Sequence, residues 1–494
     1  MTTTNVTTTN RTTPEPRRLR VRVAVATALM LGTAGCYRAP DPETPAIQPS
    51  NVSTWNQTDH AGSSVTCPSG TMDAGATDTG AGGPEGYADA RPDSTPAKPG
   101  APAACPNLAV SRFKELLIID PTVVGDSRAN DDAALHPWSF RARMEDLAGD
   151  AAAAGPLVDG WLEQWKSLRE VPVSTAPGAA QLAITPRPGV DEALRCPWLE
   201  RSPENNCTDG CATCRTRRLD LAAAPFRLLA IVNRTDMATA GACGGDGGEL
   251  RFVYGALARD GLSALPLTVI FEYQITLHSD ESLRDWAAAW HELGAAELGP
   301  AFAGRLAPIV ARGLERATLR RVRTNEIAFG QSDALPWELR EFAPAQTDAG
   351  VVRLIEIATS QTPRLTLGSS PELGQWLDSN ASSVLAGDNR LDARFLAASA
   401  PLPTAGFAWT TLARDPAVNA AFNRNTCNGC HGGRAPDDLP FQHIAPPATK
   451  TGVYGAAAGP ARLSRYLDNP GHDDELGRRE AALAALICGK CGGY

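Results

Sequence analysis

The most constraining feature of this 494-residue sequence is the stretch 427–431, which reads Cys-Asn-Gly-Cys-His. Two thiols three residues apart project from the same side of one helical turn, and the neighbouring imidazole can turn towards a metal held there. The spacing is C-x-x-C-H, the c-type haem attachment motif. In this motif the two cysteines bond to the haem and the histidine binds its iron. With twelve cysteines and seven histidines in the chain, chance alone would give this pattern about 0.004 times.

The N-terminus has the layout of an export signal. Four arginines between positions 17 and 22 precede an apolar run, residues 23–34, which is followed by Gly35 and Cys36. This run is shorter than the about 20 apolar residues that a membrane-spanning helix needs. The pattern therefore predicts a signal peptide rather than a permanent transmembrane helix.

The end of this segment, Thr33-Ala34-Gly35-Cys36, resembles the lipobox of bacterial lipoproteins, although Thr33 stands where leucine is usual. The resemblance implies that residues 1–36 are a lipoprotein signal peptide and that Cys36 carries lipid. It also implies an exported protein, lipid-anchored to a membrane on its periplasmic or cell-surface side. In the alternative, the signal is an ordinary cleaved one and Cys36 has no role.

Composition divides the rest of the chain. Residues 37–107 are rich in Pro, Gly, Ser, Thr and Asp and show little apolar periodicity, so we expect a disordered tether. We expect two folded units after it, at 108–400 and 401–494. A net charge of -9 without a long basic block argues against nucleic acid as a partner.

The first folded unit has an α+β pattern. Runs of branched and aromatic residues with short, glycine-containing links predict an antiparallel sheet. The predicted strands are 113–120, 225–234, 249–259, 265–278, 337–343 and 351–359. Helices are expected at 281–318 and 371–398, and two more helices should be separated by Gly155-Pro156. The role of this domain is unknown.

Two groups of residues in this unit allow two interpretations each. Four cysteines crowd one irregular loop, and we favour one or two disulfides over a four-cysteine zinc site there. They are Cys196, Cys207, Cys211 and Cys214. Polar residues lie where the strand 225–234 runs into a loop, and we favour hydrogen bonds to the loop backbone and pairing among them over a functional role. They are Asn233, Arg234 and Asp236.

The C-terminal unit begins with Asp415-Pro416, a good helix start. The segment from there to the C-x-x-C-H motif resembles the opening of class I c-type cytochromes, although Phe422 stands one position further from the motif than the family's aromatic. The resemblance implies a small, mostly helical cytochrome c-like domain at 401–494 with one covalent haem c. Cys427 and Cys430 would form the thioethers, and His431 would be the proximal iron ligand. Helical patterns are also expected at 461–469 and towards the C-terminus.

The sixth iron ligand departs from this family, because no methionine follows Met237. His443 lies in an apolar setting and is the preferred possible distal ligand, with a hydrogen-bonded core histidine as the alternative. His472 is flanked by glycine and aspartates, which is typical of a solvated turn. An iron with an open position would instead allow ligand binding or peroxide chemistry.

A second C-x-x-C, Cys488 and Cys491, lies near the C-terminus. Together with Cys427 and Cys430 it could make a zinc site, although 57 residues separate the pairs, where about 15 to 20 are usual. A disulfide between Cys488 and Cys491 is the simpler interpretation.

The sequence thus predicts an anchored, exported haem lipoprotein acting in electron transfer with an unidentified redox partner protein. Alternatives are a non-redox surface binding or structural lipoprotein with disulfides or zinc, and a peroxidase-like haem enzyme.

Overall fold

The structure is a computed structural model, and it describes most of the chain beyond residue 107. The described residues are 108–126, 136–238, 245–277, 280–327, 329, 337–347, 350–387, 390–403, 406–409, 412–432, 439, 441–447, 458–469 and 474–488. The predicted signal peptide, the lipidation site Cys36 and the tether therefore lie outside the described residues, as do His472 and Cys491.

Helices and strands alternate irregularly along the chain. The helices are α1 Pro121–Val124, α2 Phe140–Ala148, α3 Ala151–Trp165, α4 Cys196–Arg201, α5 Asp280–Glu292, α6 Pro300–Glu315, α7 Pro371–Ser379, α8 Ala381–Leu385, α9 Pro416–Asn425, α10 Cys427–Cys430 and α11 Glu475–Cys488. The strands are β1 Leu117–Ile118, β2 Glu170–Pro172, β3 Gln181–Ala183, β4 Phe226–Arg234, β5 Gly245–Leu257, β6 Ala264–Leu277, β7 Ala317–Ile327, β8 Trp337–Gln346, β9 Val352–Ile357, β10 Thr359–Pro363, β11 Leu396–Ala397, β12 Ala400–Pro401, β13 Ile444–Ala445 and β14 Arg462–Leu463.

An eight-stranded antiparallel sheet organises the fold. Its order is β1-β4-β5-β6-β7-β8-β12, and β9 also pairs with β8. The predicted α+β class with an antiparallel sheet is confirmed. Strand β7 is not among the predicted strands, and its first two residues fall at the end of the helix predicted at 281–318.

Both faces of the sheet are buried. Successive residues of a strand point to opposite faces, and Ile231 and Phe252 belong to a large core that also holds α2 and α3. Their neighbours Val232 and Val253 belong to a second core on the opposite face, where α11 contributes Leu476. Residues of both predicted domains therefore share the second core, and the domain boundaries themselves stay predictions.

Two helix expectations are wrong. Gly155-Pro156 lies inside α3, and the break comes earlier, at Gly149, which has a φ of 71° and ends α2. Asp150 then caps α3 by accepting a hydrogen bond from the N–H of Ala152. The expected helix at 461–469 is instead the short strand β14 followed by a turn.

The cysteine-rich loop contains two disulfides, Cys196–Cys211 and Cys207–Cys214. The disulfide interpretation of this loop is confirmed. In the described part of the chain, no helix has the length and apolarity needed to cross a bilayer.

A buried arginine ties the loop before α4 to the sheet. Arg187 is 2% exposed, donates to Glu326 and to Glu356 (Nη2 to Oε2, 2.7 Å), and lies 3.9 Å above the Trp165 ring. We predict that Arg187→Met destabilises the fold by about 3 to 5 kcal/mol, because two buried carboxylates lose a partner. Denaturant unfolding of both proteins with intact disulfides measures this loss in the free energy of unfolding.

The control is Arg394→Met, which removes an exposed ion pair with Glu372. Its expected loss is below about 1 kcal/mol. Equal losses for the two variants would contradict the assignment of Arg187 as a buried structural charge.

Candidate functional site: the Cys427–His431 turn

Local sequence signals build the turn that carries the C-x-x-C-H motif. Asp415 accepts a hydrogen bond from the N–H of Ala417 (2.8 Å) and starts α9, as predicted. After Thr426, which is extended, a new turn begins at Cys427. The N–H of Cys430 donates to the Thr426 carbonyl and that of His431 to the Cys427 carbonyl, both at 2.8 Å. Both thiols therefore belong to one helical turn.

The two residues between the cysteines are structural. The Asn428 side chain is buried and accepts a hydrogen bond from the Trp409 indole N–H (2.8 Å). A Cβ atom at Gly429 would lie 2.4 Å from the Asn423 carbonyl oxygen, so a side chain does not fit. These contacts fix the turn against α9 and the segment that precedes it.

The two thiols are reduced and have different surroundings. Cys427 is 6% exposed and packs in an apolar cluster with Ile327, Trp337 and Phe441. Its N–H donates to Thr362 Oγ1 (3.1 Å) on β10. Burial raises the pKa of Cys427, and it raises the pKa of half-buried Cys430 to about 12. Both sulfurs are therefore protonated at neutral pH.

His431 is oriented by an unusual backbone conformation. Its Nδ1 hydrogen-bonds to the carbonyl oxygen of Phe441, a non-glycine residue with a φ of 65°. Because a carbonyl only accepts, Nδ1 carries the proton and Nε2 keeps the lone pair. Burial lowers the pKa of His431 to about 4. A neutral imidazole with Nδ1–H bound to a carbonyl is the usual state of a metal-ligating histidine.

His443 lies beside this turn. Its Nε2 is 3.3 Å from Cys430 Sγ and its Nδ1 is 2.9 Å from Ser464 Oγ. Burial lowers the pKa of His443 well below its usual value, so the ring is neutral. Since the Cys430 thiol donates its hydrogen, Nε2 accepts and Nδ1–H donates to Ser464. The ring also stacks on Tyr466, with centroids 4.6 Å apart and planes 25° apart.

Beneath the turn, charged side chains form a row across the sheet. We call Arg234, Glu249, Arg251, Glu272, Arg323 and Glu341 the charged row. Arg251 pairs with Glu249 (2.5 Å) and with Glu272 (3.0 Å), while Arg323 pairs with Glu272 (3.1 Å) and Glu341 (3.4 Å). These residues lie on the face that also holds the second core, since Phe252, Phe271, Val322 and Phe342 between them belong to the first. Cys427 and the Arg323 guanidinium interact electrostatically.

The C-terminal helix closes over one end of this row. Arg234 pairs with Asp236 (2.8 Å), as the pairing interpretation predicted, and it reaches Glu475 of α11 (3.4 Å). Glu475 also accepts from Arg479 (3.0 Å) and from the Tyr466 hydroxyl (3.4 Å). Ion pairs, a hydrogen bond and apolar packing therefore connect α11 and the segment around Tyr466 to the sheet.

The donor side chains around the turn limit which metal or cofactor it can hold. Among the described residues, no group of three or more His, Cys, Asp or Glu side chains is placed to hold a metal ion. Cys488 is disulfide-bonded, which removes it as a zinc thiolate. Cys427, Cys430 and His431 fit a covalently attached haem: two reduced thiols on one turn, a ligating nitrogen, and apolar surroundings at Cys427.

Sequence reasoning found the two cysteines and both histidines of this cluster. It missed Phe441, Ser464 and Tyr466, which orient the two imidazoles. No sequence pattern predicts that Phe441 adopts a left-handed backbone conformation that directs its carbonyl towards His431. Ser464 and Tyr466 were missed because residues 461–469 were expected to form a helix. Met237 lies in the short 3-10 turn that follows β4, with its sulfur 3.6 Å from Arg251 Nη2.

No protein-family model matches this chain, and neither the curated proteins nor the solved structures contain a detectable match.

The Arg234–Asp236 pair generates a pH prediction. Burial alone would raise the pKa of Asp236, but the Arg234 charge and hydrogen bonds outweigh it and lower the pKa to about 2. The unfolded value is about 3.9, so this carboxylate stabilises the fold above that pH and loses its effect as pH falls towards 2. We predict that Asp236→Asn loses about 2 kcal/mol at pH 6. Denaturant unfolding at pH 6, 4 and 3 should show the difference from the wild type shrinking.

Exposed Asp209 in the disulfide loop supplies the control. Asp209→Asn should follow the wild type at each pH. A loss in Asp236→Asn that stays constant from pH 6 to pH 3 would disprove the pH assignment.

Proposed function

We propose that this chain is an exported, membrane-anchored lipoprotein that holds one covalent c-type haem in a cytochrome c-like C-terminal region and acts in electron transfer. The observation that carries the proposal is the turn at Cys427–His431. There, two reduced thiols share one helical turn and the Phe441 carbonyl fixes the proton of His431 on Nδ1.

Each residue of the turn has a distinct task in this proposal. Cys427 and Cys430 would hold the haem through thioethers, and His431 would bind its iron through Nε2. When bound, the haem supplies a one-electron iron couple. Phe441 orients the ligand, because its carbonyl stops rotation of the His431 ring. Ile327 and Trp337 exclude water at Cys427, and a low-dielectric setting tunes the potential of such a centre.

We also propose a supporting role for the sheet domain. Its strands provide Thr362, which binds the Cys427 N–H, and Arg323, which lies close enough to interact with the Cys427 sulfur. The domain would thereby act as a rigid support for the haem turn. A support of this kind keeps the geometry constant between oxidation states.

Export is supported by the cysteine chemistry. The chain has two disulfides in the cysteine-rich loop. In most bacteria, disulfides persist only in an oxidising compartment. The arginine-led apolar N-terminus and Cys36 supply the sequence support for a lipid anchor. Multiple acyl chains on one cysteine give stable membrane attachment.

The haem prediction is tested on the full chain made in a bacterium that exports it and matures c-type cytochromes. Intact mass should exceed polypeptide plus lipid by one haem, and the pyridine haemochrome spectrum should show a bound haem c. In a redox titration, the haem should be reduced and reoxidised reversibly, with a transfer of one electron per protein. Cys427→Ala/Cys430→Ala should lose the added mass, because no thioether can form.

The matched control is Cys207→Ser/Cys214→Ser, which removes two cysteines that form a disulfide elsewhere. This variant should keep the haem mass. A wild-type protein without the haem mass, or a haem that does not cycle reversibly, would rule out the proposed function.

The anchor prediction is tested by metabolic labelling with a fatty acid. Wild-type protein should carry the label and sediment with membranes, and Cys36→Ser should lose both properties, since the acylated sulfur is gone. Cys67→Ser, in the predicted tether, serves as the control and should behave like the wild type. Label retained by Cys36→Ser would exclude this lipidation site.

A further inference from the structure

A small cavity lies between helices α5 and α6 and strand β6. It has a volume of about 160 Å³, and its apolar lining includes Ile275, Leu277 and the ring of Trp286. Ile275 and Leu277 are two residues apart on β6, so both point to the same face of the sheet. All three residues are buried in the large core. None of the residues that line the cavity belongs to the Cys427–His431 turn.

Gly313 of α6 makes room for the Trp286 ring. A Cβ atom at position 313 would lie 2.7 Å from Trp286 Cη2, so a larger residue would displace the ring. The guanidinium carbon of Arg312 lies 5.8 Å from the centroid of the same ring. An apolar cavity of about 150 Å³ can hold a benzene molecule. This cavity therefore has room for one aromatic ring.

The exposed side chains that line the cavity are charged. They are Asp285 on α5, and Arg312 and Arg316 at the C-terminal end of α6. The two arginines are four residues apart, and like charges at this spacing repel each other on a helix. Across the described ranges, none of the three side chains forms an ion pair. The negative end of the helix dipole favours basic residues on α6, but it leaves Asp285 without a counter-charge.

We propose that this cavity binds an α-amino acid whose apolar side chain is about as large as a benzene ring. The side chain packs against Ile275 and Trp286. The carboxylate accepts hydrogen bonds from Arg312 and Arg316, since a guanidinium can donate two parallel hydrogen bonds to a carboxylate. The ammonium group faces Asp285. A zwitterion matches both signs of charge around the cavity, whereas a carboxylate or an amine alone leaves one sign unpaired.

The experiment is isothermal titration calorimetry of the full-length exported protein with L-phenylalanine. One molecule should bind per chain. The matched probes are 3-phenylpropanoate, which lacks the ammonium group, and 2-phenylethylamine, which lacks the carboxylate. Each should bind at least about tenfold more weakly than L-phenylalanine, a difference of about 1.4 kcal/mol.

Variants at the exposed positions assign the charged groups. Arg312→Gln/Arg316→Gln should weaken the binding of L-phenylalanine at least about tenfold, because its carboxylate loses both donors. Asp285→Asn should weaken L-phenylalanine similarly without weakening 3-phenylpropanoate. Arg305→Gln removes an exposed arginine of α6 that does not line the cavity. This control should match the wild type, and circular dichroism should show the same fold for all variants.

Absence of L-phenylalanine binding to the wild type at millimolar concentration would overturn the inference. Equal affinities for L-phenylalanine and 3-phenylpropanoate would overturn it as well, and so would unchanged binding in Arg312→Gln/Arg316→Gln. The site goes beyond the proposed electron-transfer function and does not rest on it. A failure here leaves the haem mass of the protein unchanged, so the two proposals are tested separately.

Discussion

The charged row joins strands β5 to β8 of the sheet by ion pairs, and at its β4 end it reaches Glu475 of the C-terminal helix. Antiparallel pairing sets Arg251 opposite Glu272 and Arg323 opposite Glu341, so opposite charges alternate across the sheet. The row lies on a face that the C-terminal segment covers, and a buried charge that loses its partner destabilises a fold by about 3 to 5 kcal/mol. The C-terminal segment is held on this face by the ion pair between Glu475 and Arg234 and by the apolar residues of α11 in the second core.

This arrangement determines where the Cys427–His431 turn lies. The Cys427 N–H donates to Thr362, and its side chain packs against apolar residues of β7 and β8. The Cys430 thiol lies within hydrogen-bond distance of His443 Nε2. The left-handed conformation of Phe441 is unfavourable by about 1 to 3 kcal/mol and persists only where surrounding contacts enforce it. Its ring stacks on Trp337 with planes 16° apart. The sheet thus holds the residue that orients His431, which links a domain of unknown role to the chemistry of the turn.

Much of the fold followed from local sequence signals, since strand periodicity located β4, β5, β6, β8 and β9 and the Asp415-Pro416 pair located α9. The α2–α3 break was misplaced, because Gly155-Pro156 is tolerated inside a helix and Gly149 supplies the left-handed cap. At the site, residue types and spacing identified Cys427, Cys430, His431 and His443. Their mutual geometry could not be predicted, because it arises from long-range pairing of β13 with β14 and from the backbone of Phe441.

Tandem mass spectrometry of the peptide that contains residues 427–431 shows whether a haem is attached there. The exported wild-type protein is denatured and treated with a thiol-alkylating reagent before proteolysis. We predict that this peptide carries one haem and that neither Cys427 nor Cys430 is alkylated. A peptide alkylated at both cysteines and free of haem would contradict it.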